Sequence, residues 1–213
     1  MRKAGVWLWI AALLALGVGL FSYRYLFPSI PVESPNVAAN RFAATGALVA
    51  HAGLGATVLI LGALQFFPEI RARWPAWHRR AGTVYVLGCL IGGVAGFLLA
   101  FGTTAGPIAG FGFGILAVLW VWFTANAWRY AKARDFQRHQ RWMIRSYALT
   151  FGAVTLRLYL ALFGVMHIDF MEGYRASAWL AWVPNLIFVE LFVLHGRGVR
   201  TSPRLATPSQ SPG

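Results

Sequence analysis

Six apolar runs of about 20 residues each, separated by short polar turns, leave this chain little choice of fold. They fall at residues 6–26, 43–66, 81–102, 108–130, 142–166 and 178–195. A helix rising about 1.5 Å per residue needs about 20 residues to cross the roughly 30 Å of hydrocarbon in a bilayer. A backbone in lipid must also satisfy its own hydrogen bonds, which a helix does. With 58% of its 213 residues hydrophobic and 12% charged, the chain has too little charge to cover a soluble surface. The expected fold is an all-α membrane protein, a bundle of about six transmembrane helices. Residues 1–196 form a single transmembrane domain, and 197–213, rich in Ser, Pro and Thr, form a disordered cytoplasmic tail. The first run follows Arg2 and Lys3 and ends in Tyr23, Arg24 and Tyr25. It is longer than the core of a signal peptide and reads as an uncleaved helix.

The net charge of +13 would suit a nucleic-acid binder. That class is excluded because the basic residues sit in short turns and build no continuous basic face. Topology accounts for them. Fifteen of the nineteen Lys and Arg fall on one side of a six-helix arrangement, leaving Arg24, Arg41 and Arg175 on the other and Arg157 inside the fifth helix. Basic loops stay in the cytoplasm, so both termini are expected inside. Trp7, Trp9, Trp74, Trp77, Trp128 and Trp142 lie near helix ends, as interfacial belts require. The lone cysteine, Cys89, forms no intramolecular disulfide and lies in an apolar run as a small packing residue.

Glycines recur every four residues at Gly88, Gly92 and Gly96, and again at Gly102, Gly106, Gly110 and Gly114. That spacing lets two helix backbones approach closely, so the third and fourth helices are expected to pack tightly on one another. A weak internal repeat pairs His78-Arg79-Arg80 and Tyr85 with His139-Gln140-Arg141 and Tyr147, each after a basic turn. Two hairpins of equal sense suggest a parallel repeat about an axis along the membrane normal. One-sided stripes follow from steps of three and four: His51, Gly55, Val58, Gly62, Gln65 on the second helix; His78, Gly82, Tyr85, Cys89 on the third; His139, Met143, Ser146, Thr150, Arg157 on the fifth. Lipid disfavours polar groups, so these faces should point into the bundle.

Two groups of residues could carry chemistry. His51, Arg157, Asn185 and Glu190 lie at membrane depth, where polar residues are functional candidates by default. They form an expected buried polar core, either satisfying one another or serving a site. Arg157 and Glu190 differ in depth by roughly 10 Å, so a direct pair needs both side chains extended. The second group is His78 and His139, read as axial ligands of one metal, the iron of a haem b. Arg79, Arg141 and Arg145 would hold its propionates and Gly82 would make room for the ring edge. The alternative is that both histidines merely face lipid headgroups. GxSxG, HExxH and phosphate-loop motifs are absent, and Glu190 is the one acidic residue inside the membrane, against a multi-carboxylate proton relay.

The segments His78-Arg79-Arg80-Ala81-Gly82-Thr83-Val84-Tyr85, His139-Gln140-Arg141-Trp142-Met143-Ile144-Arg145-Ser146-Tyr147, Ala153-Val154-Thr155-Leu156-Arg157 and Trp182-Val183-Pro184-Asn185 resemble a family of bacterial membrane proteins, the domain of unknown function numbered 2306. The resemblance runs from about His51 to Glu190. It implies an inner-membrane location and no particular activity. A looser similarity is to two-haem membrane cytochromes of the b561 kind. The chain departs from that pattern because His51 has no histidine partner at its depth: His167 lies roughly 14 Å further out by helix rise. Two function classes follow. One is a b-type haem protein of the bacterial inner membrane working in electron transfer, with a quinone or a membrane subunit as partner. The other is a small-solute or proton transporter, or an accessory subunit, built on the His/Arg/Glu core.

Overall fold

The computed structural model describes residues 5–27, 39 and 46–195. Among the described residues, six helical spans are long and apolar enough to cross a membrane: Val6–Leu26, Gly46–Gln65, Pro75–Phe101, Pro107–Lys132, Phe136–Val165 and Phe170–Leu194. A short helix, Pro68–Arg73, joins the second span to the third. Large apolar side chains cover the outside; Trp7, Phe101 and Val165 are 79%, 77% and 78% exposed. Water would penalise such a surface and lipid does not. The molecule is an all-α, six-span membrane protein. The residues of the expected tail, 197–213, lie outside the described set.

Three spans begin earlier than apolar run length suggests. The third starts at Pro75, whose missing N–H costs nothing in a first turn. The fifth starts at Phe136, where Asp135 caps the helix by accepting from the Arg138 N–H at 3.0 Å. The sixth starts at Phe170, with Asp169 accepting from the N–H groups of Met171 and Glu172. Each extension is polar or interfacial, so hydropathy misses it while capping chemistry sets it.

The third and fourth spans pack closely on one another, as the glycine spacing predicts, and the glycines also admit the second span. A Cβ at Gly88 would meet Val58 Cγ1 at 2.5 Å, and one at Gly96 would meet the His51 ring at 2.8 Å. That face of the third span therefore receives the second span. Contact with the fourth span comes from the neighbouring Gly93, against Val121, and from Gly110, against the Ala100 carbonyl. Gly102 ends the third span, and Gly106, at φ +92, begins the fourth in a conformation that suits glycine alone. Gly112 admits the sixth span, with the Ala178 carbonyl 2.9 Å from where its Cβ would lie.

The fifth and sixth spans are broken near mid-length. The fifth is interrupted at Phe151 and the sixth at Ala181 and Trp182, just before Pro184. Thr155 and Asn185 staple the two breaks together: the Thr155 hydroxyl and the Asn185 amide both donate to the Ala181 carbonyl, and Asn185 also donates to Ala148 O at 3.2 Å. Backbone groups freed by a break at membrane depth need such partners. The sixth span ends in a π-helical stretch, Val189–Leu194, that contains Glu190.

Candidate functional site

All six spans converge on a cavity of about 250 Å³ in the half of the bundle remote from the arginine-rich turns. Its walls are mostly apolar, including Leu48, Leu99, Leu116, Leu156 and Leu160. The polar groups that reach it are Ser22 and Tyr25 of the first span, His51 of the second, Thr103 just after the third, Thr150 and Arg157 of the fifth and Tyr174 of the sixth. A small apolar chamber with a few convergent polar groups is the usual form of a ligand site.

His51 sits against Gly96, where only a glycine leaves space for the ring. Its Nδ1 lies 2.9 Å from the Gly92 carbonyl. A carbonyl can only accept, so Nδ1 carries the proton, and a neutral imidazole then keeps its lone pair on Nε2. The Trp120 ring stands edge-on to His51 at 6.4 Å between centroids.

Arg157 donates through Nη1 to Ala153 O and through Nη2 to the Ser22 hydroxyl, both at 2.8 Å. Both acceptors are neutral. No ion pair to Arg157 exists among the described residues, and the ion pairs they form are Arg138–Asp135 and Arg145–Glu190. The expected partnership of Arg157 with Glu190 is therefore replaced. Glu190 takes Arg145 in a two-pronged contact, Nε to Oε1 at 2.5 Å and Nη2 to Oε2 at 2.8 Å, with the Arg145 guanidinium also 5.0 Å from the Trp142 ring centre. Asn185 belongs to the staple described above. Of the four residues grouped as a polar core, the structure brings only His51 and Arg157 to one place.

Below the cavity lies a hydrogen-bonded knot. Trp120 Nε1 donates to Thr150 at 2.8 Å, Tyr85 OH touches Thr150 and Ser146 at 2.9 Å, and Ser146 meets Thr124 at 2.7 Å. Thr124 and Thr150 also reach the carbonyls four residues back, Trp120 and Ser146. Four hydroxyls and one indole supply five protons for these six contacts, so the hydroxyls share them. Tyr85 follows His78 by seven residues and Ser146 follows His139 by seven. The two hairpins thus meet in the middle of the bundle, Tyr85 bonding the residue before its repeat counterpart Tyr147. The fourth-span members, Trp120 and Thr124, are not singled out by the sequence, where the span shows glycines and an interfacial Trp128; Thr124 shares the three-to-four spacing that marks the other stripes.

His78 and His139 are each the fourth residue of their span and lie within charge-coupling range of one another, with Arg71 and Arg79 nearby. His139 Nδ1 bonds Ala127 O at 2.8 Å, which leaves Nε2 free to act as a ligand, while His78 Nδ1 is buried without a partner. Two other parts of the expected haem site are engaged elsewhere. Arg145 is held by Glu190, and the space beside Gly82 is taken by Gln65, whose Oε1 is 3.6 Å from where a Gly82 Cβ would lie. A ring edge there would have to displace Gln65, leaving Arg79 and Arg141 as the cations. No group of three or more His, Cys, Asp or Glu is placed to hold a metal among the described residues.

No curated protein and no solved structure matches the chain. One family model does, over residues 48–193, which include the second to sixth spans almost whole, His51, His78, His139 and Arg157, and the cavity lining except Ser22 and Tyr25 of the first span. The chain belongs to the family of predicted membrane proteins designated DUF2306.

Proposed function

We propose that this protein binds a small membrane-soluble ligand in the chamber between His51 and Arg157, as a carrier or an accessory subunit rather than a redox centre. We place it in a bacterial inner membrane with its arginine-rich turns in the cytoplasm, on the distribution of basic residues. The observation that carries the binding reading is the charge on Arg157. It lines a mostly apolar cavity and has no anionic partner among the described residues. An uncompensated cation at membrane depth is costly, and such residues are retained where they meet a substrate. Gly55 provides the test. It lines the cavity, and a Cβ there would meet nothing within 4 Å. Gly55→Leu should fold, fill the chamber and remove a co-purifying small-molecule adduct seen in native mass spectra of the wild-type protein. An adduct that persists in Gly55→Leu rules this chamber out as its site.

A second reading keeps His78 and His139 as ligands of one haem. The free Nε2 of His139, fixed by the Ala127 carbonyl, favours it. It requires a Soret band that disappears in His139→Ala; colourless protein from haem-replete cells excludes it.

A further inference from the structure

We infer that the ligand of the His51–Arg157 chamber is a lipophilic carboxylic acid, held by its carboxylate on Arg157. This rests on the binding reading above and names the class of ligand.

The guanidinium carries five N–H groups in a planar fork, and two of them are spent, on Ala153 O and Ser22 Oγ. Three N–H groups remain, and the cavity that Arg157 lines receives no ion-paired anion for it from the described residues. A carboxylate matches that fork in shape, in its two oxygens and in charge. A neutral carbonyl would take a hydrogen bond and leave the charge unmet.

His51 fits the same head group. Gly92 O fixes the proton on Nδ1, so Nε2 of the neutral ring can accept from the O–H of an acid that enters from the bilayer in its protonated form. Leu48, Leu99, Leu116 and Leu160 supply an apolar wall for the carbon chain. The chamber of about 250 Å³ is large enough for a head group and its first carbons.

The test uses a diazirine-bearing dodecanoic acid, photolysed with the full-length protein in nanodiscs of zwitterionic lipid, with labelled peptides mapped by mass spectrometry. Saturable labelling of the peptides that carry His51 or Arg157 is expected. Unlabelled dodecanoate should suppress it, and methyl dodecanoate should compete about tenfold less well. Arg157→Gln should cut the labelling about tenfold, and Arg157→Lys, which keeps the charge but loses the fork, should fall between Arg157→Gln and wild type. Should Arg157→Gln fail to yield folded protein, the competition in wild type decides alone. Equal competition by the methyl ester, or displacement by a short-chain benzoquinone in its place, overturns the acid assignment and leaves the binding reading standing. Absence of saturable labelling by the acid, together with absence of competition by ester or quinone in a native-adduct measurement, overturns both.

Discussion

Arg157 and Glu190 are the two charges that helix arithmetic sets at membrane depth, and their partners decide what the bundle can do. Glu190 pairs with Arg145 and is thereby accounted for, while Arg157 rests on two neutral oxygens. A double-mutant cycle separates these arrangements. Arg145→Leu and Glu190→Gln should be coupled by about 1–3 kcal/mol in unfolding measurements, because either single change strands the other group. Arg157→Leu and Glu190→Gln should add within about 0.5 kcal/mol. Coupling in the second cycle and none in the first would reverse the assignment. The sequence makes His51 and Arg157 legible as residues of matching depth on inward faces, and they do line one cavity. The partner choice of Glu190 is not legible, since depth along a helix carries no information on which neighbour the side chain reaches around it.

At the level of helices, the departures from simple periodicity explain what was misread. The sixth span breaks at Ala181 and Trp182 and then runs through a π-helical stretch at Glu190. Helix rise gives Glu190 a depth but no direction around the helix, and in the folded span its carboxylate meets Arg145. The glycine stripe is legible as a packing face, but a period of four does not say which neighbour it receives; Gly88 and Gly96 take the second span. The inward stripes of the second, third and fifth spans are legible because lipid penalises any other placement of their polar groups. One contact tests the packing of the fourth span on the sixth. At Gly112 a Cβ would lie 2.9 Å from the Ala178 carbonyl, a backbone atom with nowhere to move. Gly112→Ala should lower stability by about 1–3 kcal/mol. Gly164→Ala, where nothing lies within 4 Å, should be neutral and serves as the control. Equal thermal unfolding of the two variants would show that the fourth and sixth spans are not in contact there.

For the whole molecule, the number of spans follows from apolar run length and is the most legible property of the chain. The chamber is the least legible, because a cavity is a property of six helices at once and leaves no mark in any one of them. Orientation rests on charge. With arginine-rich turns in the cytoplasm, reporter fusions after Leu26, Gly102 and Arg175 should report the outer side, and fusions after Arg80, Arg138 and Arg204 the inner side. Inversion of two adjacent fusions would break the six-span count itself. In that orientation His51 and Arg157 belong to the outer half of the bilayer, and the Arg145–Glu190 pair to the inner. The account turns on what meets the charge of Arg157. The direct measurement is an experimental density map, at side-chain resolution, of protein purified with its native lipids. It should contain non-protein density in the chamber within hydrogen-bonding distance of the Arg157 guanidinium and of His51 Nε2. A chamber closed by the protein's own side chains, or an Arg157 ion-paired to an acidic residue of the chain, would contradict the account.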